Sequence, residues 1–180
     1  MWEGNSSLLG AGGWGFGTGE AGWWSEADTL VHPVGTPHPS PAKAAEFRAV
    51  DLPSVRAAVT AAVSARVSHF VYVSVAHPAP IMHAYIAVRS EGEALIQAND
   101  LNTTILRPWY VLGEGHRWAY ALVPLYAVAR HVPAWRATAE RLGLVTHEQM
   151  VRALVAAVEN PVQGVRIVEV PAIRAGAIRP

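Results

Sequence analysis

The sequence predicts an α/β fold built on a parallel, doubly wound sheet. Two apolar runs, HFVYVSV from His69 and TTILR from Thr103, are rich in β-branched residues, which is typical of strands buried on both faces of a parallel sheet. The segment AYIAVRSEGEALIQAN between them has the length of a helical crossover. We therefore expect a strand, a helix and a strand over residues 69–113, with ligands bound outside the carboxyl ends of the strands.

A second crossover is predicted just before this unit. The run TLVHPV, residues 29–34, predicts a strand. Pro33 suits an edge strand because proline lacks the amide donor that a central strand needs. A helix is predicted over Leu52–Ala65, with apolar residues at helical spacing and Asp51 as its N-cap. The two crossovers in series give the order strand, helix, strand, helix, strand.

The carboxyl-terminal part predicts one further helix and strand. Thr146 and Gln149 have the spacing of a capping box, and Asn160-Pro161 ends the helix that follows. The residues that mark one face of this helix are Met150, Val151, Leu154, Val155 and Val158. The run VRIVEV, residues 165–170, then alternates as a partly exposed strand does.

Composition limits the classes of protein to consider. The chain has 180 residues, of which 51% are hydrophobic, and this is enough for one domain with a core. Its formal net charge is zero, so it has no basic excess to attract nucleic acid. It has no cysteine, which excludes disulfides and thiolate metal sites. The first residues lack the pattern of a signal peptide, and the apolar run of residues 119–129 is too short to span a bilayer. We expect a cytoplasmic protein.

The first 26 residues differ in composition from the rest of the chain. They are rich in glycine and tryptophan and contain two G-x-G-x-x-G matches, which start at Gly10 and Gly17. A phosphate-binding loop needs a strand before the glycines and a helix after them. Because neither is predicted here, a leader outside the fold is favoured over a phosphate loop. The predicted domain covers residues 27–173, with a small helical cap over 114–142 and a tail over 174–180.

Three residues predict chemistry at the carboxyl ends of the strands. Ser74 ends one strand, and Tyr85 and Arg89 lie one turn apart on the next helix. Serine would bind a substrate oxygen, tyrosine would transfer a proton, and the cation would lower the pKa of the phenol. A nicotinamide cofactor would carry the hydride. The alternative interpretation is a partly buried phenol beside a solvated cation.

Other groupings of polar residues favour no site. The eight histidines show no metal-ligand spacing, so we predict no metal centre. His77 and His83 flank a proline-containing loop next to Ser74 and could contact substrate. Glu91 and Glu93 are two residues apart on the helix and point to different faces. We therefore predict that both glutamates are solvated.

The central segment resembles a known family. The runs HFVYVSV and AYIAVRSEGEALIQANDLNTTILRPWYVLGEG are similar to extended and atypical short-chain dehydrogenase/reductases. The similar branch includes NmrA-like proteins, a subunit of respiratory complex I and nucleoside-sugar epimerases. The matching features are a strand ending in Ser74, Tyr85 at the head of a helix, Glu93 further along it, and an ILRP strand followed by Gly113. The resemblance covers residues 28–173 and implies a Rossmann-like fold with NAD or NADP as cofactor.

The resemblance also implies individual roles. Ser74 and Tyr85 would be the family's catalytic serine and tyrosine, and Arg89 stands where the family has the lysine of Tyr-x-x-x-Lys. Arginine keeps the charge, but its guanidinium is bulkier and forked. Gly35 would lie near the adenine ribose, and Pro108 and Tyr110 near the nicotinamide.

The amino-terminal side departs from the family pattern. The family places a glycine-rich phosphate loop and two further strands before the strand predicted at Thr29, and residues 1–26 do not supply them. We therefore predict a sheet that is incomplete at its amino-terminal side, with an exposed edge that a second copy or another partner would cover. Two functions follow. One is an NAD(P)-binding, epimerase-like oxidoreductase that is degenerate in catalysis, and the other is a non-catalytic assembly or regulatory module.

Overall fold

A computed structural model describes residues 27–37, 39–112 and 133–176. The strands are β1 (Thr29–His32), β2 (His69–Val73), β3 (Thr103–Arg107), β4 (Tyr110–Leu112), β5 (Leu144–Thr146) and β6 (Val165–Glu169). The helices are α1 (Ala44–Glu46), α2 (Leu52–Ala65), α3 (His83–Gln97), α4 (Pro133–Arg141), α5 (His147–Glu159) and α6 (Val170–Ala175). The predicted leader, most of the predicted cap and the end of the tail lie outside the described residues.

Four strands form one parallel sheet in the order β1-β2-β3-β6. The predicted central unit is confirmed, since β2 and β3 are neighbours and α3 joins them. Within the described residues β1 is an edge strand, as predicted, and it ends at His32, one residue before Pro33. A separate pair of short parallel strands is formed by β4 and β5.

Helices cover both faces of the sheet, which confirms the doubly wound architecture. On one face, Phe70, Tyr72 and Ile105 pack with buried residues of α2 and α3. On the other, Val71 and Leu106 pack with buried residues of α5 and α6. Neighbouring strand residues alternate between the two cores because successive side chains point to opposite faces. None of the helices in the described ranges is long and apolar enough to cross a membrane.

The start of α2 differs from the prediction in a way that matters for the site. The helix spans the predicted residues, but Asp51 makes no side-chain capping bond and has helical dihedral angles, φ −66° and ψ −46°. The predicted N-cap is wrong because the chain is already helical before α2. Phe47–Asp51 forms a π-helical turn, and the amide of Leu52 donates to the carbonyl of Phe47. The Asp51 side chain is buried and free to make other contacts.

The capping box of α5 is confirmed, and the predicted buried face is confirmed only at Met150 and Leu154, which pack on the core. Thr146 and Gln149 exchange side-chain to backbone hydrogen bonds of 3.2 and 2.9 Å. The buried positions are Met150, Ala153 and Ala157, whereas Val151, Val155 and Val158 are exposed. Small alanine side chains allow the helix to lie close to the sheet, and this turns the larger valines outward.

Candidate functional site at the carboxyl rim

The carboxyl rim is the end of the sheet where the parallel strands finish, and Arg89 lies across it. Its Nη1 donates 3.1 Å hydrogen bonds to two backbone carbonyls, Val34 after β1 and Val73 at the end of β2. Ser74 follows Val73 directly and is buried. The structure thus brings Ser74 and Arg89 to one rim, because α3 crosses behind the strand ends. Tyr85, one turn before Arg89 on α3, lies with its ring against the same guanidinium.

Arg89 belongs to a buried group that we call the sealed cluster, formed by Thr36, Asp51 and Arg89. The Nη2 atom of Arg89 lies 2.7 Å from Asp51 Oδ1, and the two side chains are 4% and 1% exposed. The other carboxylate oxygen of Asp51 accepts hydrogen bonds from the amide and hydroxyl of Thr36, at 3.1 and 2.5 Å. The charge of Arg89 is therefore paired and bonded inside the protein rather than solvated.

Gly35 is needed at this place because Arg89 approaches the backbone closely. A Cβ atom at residue 35 would lie 1.9 Å from Arg89 Nη2 and 3.1 Å from Asp51 Oδ1. A side chain there would push the guanidinium away from its partners. The space above Gly35 is thus filled by the chain's own arginine.

Tyr85 contacts the guanidinium with its ring. The Arg89 Cζ atom lies 5.1 Å from the ring centroid of Tyr85, within the range of cation–π contacts, and Phe47 packs on the same ring at 4.9 Å. Burial raises the pKa of the Tyr85 phenol; the charge of Arg89 lowers it, and that of Asp51 raises it. Because the net direction is upward, the phenol is protonated at neutral pH, and Arg89 does not turn it into a ready base.

His32 lies beside the sealed cluster at the end of β1. Its ring is 5.7 Å from that of Tyr72 and 6.5 Å from that of Phe70. Burial, and next the positive charge of Arg89, lower the pKa of His32 to about 4. The imidazole is therefore neutral at physiological pH.

A second group of polar side chains, which we call the open cluster, spans the ends of β2, β3 and β6. It consists of Ser74, His77, Glu93, Arg107 and Glu169. Glu93 Oε1 accepts hydrogen bonds from Ser74 Oγ at 2.5 Å and from Arg107 Nε at 3.0 Å. Arg107 also contacts the other oxygen of Glu93 at 2.5 Å and Glu169 Oε1 at 3.1 Å. The prediction that Glu93 is solvated is wrong, because its pairing with Arg107 allows a 4% exposed carboxylate.

The Ser74 contact defines what this hydroxyl can do. A carboxylate paired with a guanidinium only accepts hydrogen bonds. The single hydroxyl hydrogen of Ser74 is therefore directed to Glu93, and its remaining capacity is that of an acceptor. Ser74 in this state cannot also donate to a substrate carbonyl.

Two polar atoms of the open cluster find no hydrogen-bond partner among the residues that the structure describes. They are His77 Nε2, which lies 3.6 Å from Glu93 Oε1, and Glu169 Oε2. The side chains of His77 and Glu169 are 23% and 38% exposed, respectively. Each of these atoms is itself buried, so a ligand could bond it only after the side chain turned outward.

Tyr85 also borders an open cleft of about 360 Å³. Its lining residues are Pro41, Phe47, Pro80, Ile81, Met82, His83, Ala84 and Tyr85. None of these side chains carries a permanent charge, so the cleft suits an apolar part of a ligand better than a phosphate.

The other predicted binding residues have the following positions. Pro108 is buried just after β3, and its carbonyl accepts a 2.8 Å hydrogen bond from the amide of Ala76. Tyr110 begins β4 and is half-buried. Their nucleotide-binding roles, like those of Gly35, Ser74, Tyr85 and Arg89, stay predictions. In the described ranges, no three histidine, aspartate or glutamate side chains converge as a metal site would require.

Comparison with known proteins identifies the fold. No family model and no curated protein matches the sequence. Among solved structures, UDP-glucuronic acid 4-epimerase from Bacillus cereus in complex with NAD is 17% identical, with a TM-score of 0.56 over 81% of this chain and 56% of that one. A short-chain dehydrogenase/reductase superfamily protein from Agrobacterium tumefaciens with bound NAD is also 17% identical, with a TM-score of 0.57 over 81% and 62%.

A third similar structure is the dTDP-glucose 4,6-dehydratase from Streptomyces venezuelae with NAD bound. It is 17% identical, with a TM-score of 0.56 over 83% of this chain and 55% of that one. The chain thus spans between about half and two thirds of the length of these neighbours. At this level of identity the likeness concerns the fold. The chain has a parallel, Rossmann-like α/β fold, similar to that of these NAD-bound structures.

Proposed function

We propose that this chain is an NAD(P)-binding, epimerase- or dehydratase-like protein in which the Ser74, Tyr85 and Arg89 set is degenerate for hydride chemistry. The sealed cluster is the observation that supports the loss of hydride chemistry. Asp51 pairs with Arg89 at 2.7 Å inside the protein, and the pKa of the Tyr85 phenol is raised by burial, not lowered. A phenol in this state holds its proton at neutral pH and is a poor general base.

Support for nucleotide binding comes from the architecture. Parallel Rossmann sheets bind ligands outside the carboxyl ends of their strands, and the similar structures named above contain NAD. The residues fit such a ligand at the open cluster. The side chains of His77 and Glu169 are partly exposed; by turning outward from their buried positions, His77 Nε2 and Glu169 Oε2 would bond the hydroxyl and amide groups of a dinucleotide. The β1 side of the rim is filled by Arg89. When bound, the cofactor would supply a hydride donor or acceptor.

Titration of the protein with NADH and, separately, with NADPH tests binding. Nicotinamide fluorescence should saturate at micromolar to millimolar cofactor. His77→Ala should weaken the affinity roughly two- to tenfold, the value of one hydrogen bond. His147→Ala, an exposed histidine at the start of α5, is the matched control and should leave the affinity unchanged. Absence of saturation with both cofactors at millimolar concentration would overturn the proposal.

Turnover is tested separately. We expect no oxidation of NADH or NADPH above background with carbonyl substrates at neutral pH. If a rate is found and collapses in Tyr85→Phe, the site is active, and the degenerate part of the proposal is wrong.

The second candidate function is that of an assembly module. It is favoured by the outer side of β1, where Val31 and Val34 are 39% and 48% exposed and no further strand of the described residues pairs. An uncovered sheet edge favours association with another chain or a second copy. Sedimentation of the purified chain shows whether it associates with a second copy of itself or stays a monomer that needs another chain. A scaffold would be indifferent to Tyr85→Phe and to both cofactors.

A further inference from the structure

We propose that Asp51 is a positioning residue that cancels the charge of Arg89 beneath the Tyr85 ring and so keeps this site inactive. The inference deepens the proposed function and rests on it for its catalytic meaning. Its geometry is independent of any cofactor. Nothing in the sequence motif of serine, tyrosine and arginine includes Asp51, which lies 38 residues before Arg89.

Asp51 and Arg89 are buried, and Tyr85 is half-buried against Arg89. Asp51 Oδ1 meets Arg89 Nη2 at 2.7 Å, and both side chains are at most 4% exposed. The guanidinium carbon lies 5.1 Å from the Tyr85 ring centroid. At such distances one unit charge changes a neighbouring ionisation, and an adjacent opposite charge removes most of that effect. Asp51 is placed so that the phenol meets a neutral pair in place of a cation.

Asp51 is held in this orientation by contacts that do not involve Arg89. Thr36 donates to its second oxygen from both its amide and its hydroxyl, at 3.1 and 2.5 Å. The π-helical turn Phe47–Asp51 enters α2 without using the side chain as a cap. The carboxylate is therefore directed to the guanidinium by the fold, and the cancellation does not depend on a mobile side chain.

The surrounding groups supply no second anion at this distance within the described residues. The ring centroid of Tyr72 of β2 lies 5.9 Å from the guanidinium carbon, and the ring of His32 of β1 is tilted against that of Tyr72. Both side chains are neutral near pH 7. Glu93, the buried acid of α3, is paired with Arg107. The other charged residues on α3 and on the helical segments beside it are exposed or half-buried and paired with one another. They are Lys43, Glu46, Arg48, Arg56 and Glu91.

The test is the ionisation of Tyr85, followed by NMR of ring-labelled tyrosine and assigned with Tyr85→Phe. No cofactor is present, so the result is independent of nucleotide binding. In Asp51→Asn the carboxylate charge is lost and Arg89 remains. The Tyr85 titration should then move to lower pH by about one to two pH units. Asp28→Asn, an exposed aspartate before β1, is the control and should leave the titration in place.

A second variant removes both charges, so that neither is left buried alone. Asp51→Asn/Arg89→Gln should titrate Tyr85 within about half a pH unit of the wild type, because the native pair is already nearly neutral. Circular dichroism confirms that each variant is folded. The inference is overturned if folded Asp51→Asn titrates like the wild type. It is also overturned if the Tyr85 pKa in the double variant lies far above that of the wild type. Such a result would mean that Arg89 lowers the pKa in the wild type despite its pairing with Asp51. Failure of cofactor binding with these shifts intact would contradict only the proposed function.

Discussion

The sealed and open clusters lie at the same rim, and their α3 residues, Arg89 and Glu93, are one turn apart. The two clusters are nevertheless built differently. Arg89 of the sealed cluster is closed in by Asp51 and two backbone carbonyls. Glu93 of the open cluster is shared between Ser74 and Arg107. Arg107 also contacts the partly exposed Glu169, whose second oxygen has no partner in the described part of the chain.

This difference indicates two roles. In the sealed cluster the carboxylate of Asp51, the hydroxyl of Thr36 and both terminal nitrogens of Arg89 have partners, and Arg89 Nε is buried without one among the described residues. A change there should therefore lower the stability and alter the ionisation of its neighbours. In the open cluster the side chains of His77 and Glu169 are partly exposed, so a change there should cost less stability and should affect binding. The residues that the sequence motif brings together, Ser74 and Arg89, are divided between the two clusters.

The largest expected effect is the loss of the buried cation. Arg89→Met leaves the Asp51 carboxylate buried with Thr36 alone, and the free energy of unfolding should fall by about 3–5 kcal/mol. Arg56→Met removes an exposed arginine that pairs with Glu91 at 3.4 Å and should cost no more than about 1 kcal/mol. Urea denaturation of both variants measures the contrast. Equal losses would mean that the sealed cluster does not behave as a buried pair.

The next effect is a dependence of stability on pH that comes from His32. Its pKa is about 4 in the folded protein against 6.5 in the unfolded chain, so the unfolded state binds the proton first as pH falls. The contribution of neutral His32 to the free energy of unfolding should be fully present above about pH 6.5. It should fall by about 3 kcal/mol between that pH and pH 4. His32→Phe, which keeps an aromatic ring against Tyr72, should remove this part of the pH dependence.

Comparing urea denaturation of the wild type and His32→Phe at pH 7 and near pH 4.5 isolates the histidine from the carboxylates that titrate in the same window. If the free energy of unfolding falls by the same amount between the two pH values in both proteins, His32 is not buried in its neutral form.

The smallest of the three effects is expected in the open cluster. Glu93→Gln removes the charge that Arg107 faces, but Arg107 keeps its 3.1 Å contact with Glu169 and access to water. We expect a loss of about 1–3 kcal/mol, the cost of weakening one partly shielded network. Glu91→Gln, on the same helix but half-buried among exposed arginines, is the control. A loss as large as that of Arg89→Met would remove the distinction between the clusters.

The fold could be predicted because its signals are local. The runs from His69 and Thr103 are apolar and β-branched, and each forms a strand where it was expected. The capping box at Thr146 needs only neighbours in sequence. The buried face of α5 could not be predicted in the same way. Alanine carries little hydrophobic signal, yet it is the residue that allows the closest packing.

The charged residues of the site were harder to predict, because their partners are distant in the sequence. Asp51 and Arg89 are 38 residues apart, and Arg107 and Glu169 are 62 residues apart. A charged side chain without a known partner is expected at the surface, and Glu93 was predicted there. One local signal existed. Tyr85, Arg89 and Glu93 are spaced four residues apart on one helix, so a buried Tyr85 places Glu93 on the buried face.

The central claim is that Tyr85 remains a protonated phenol despite the guanidinium against its ring. NMR titration of ring-labelled tyrosine in the wild-type protein tests it most directly. The account predicts that the Tyr85 signal keeps its phenol position up to at least about pH 10, the ordinary pKa of tyrosine. A transition to phenolate near neutral pH would contradict the account and would restore Tyr85 as a working base.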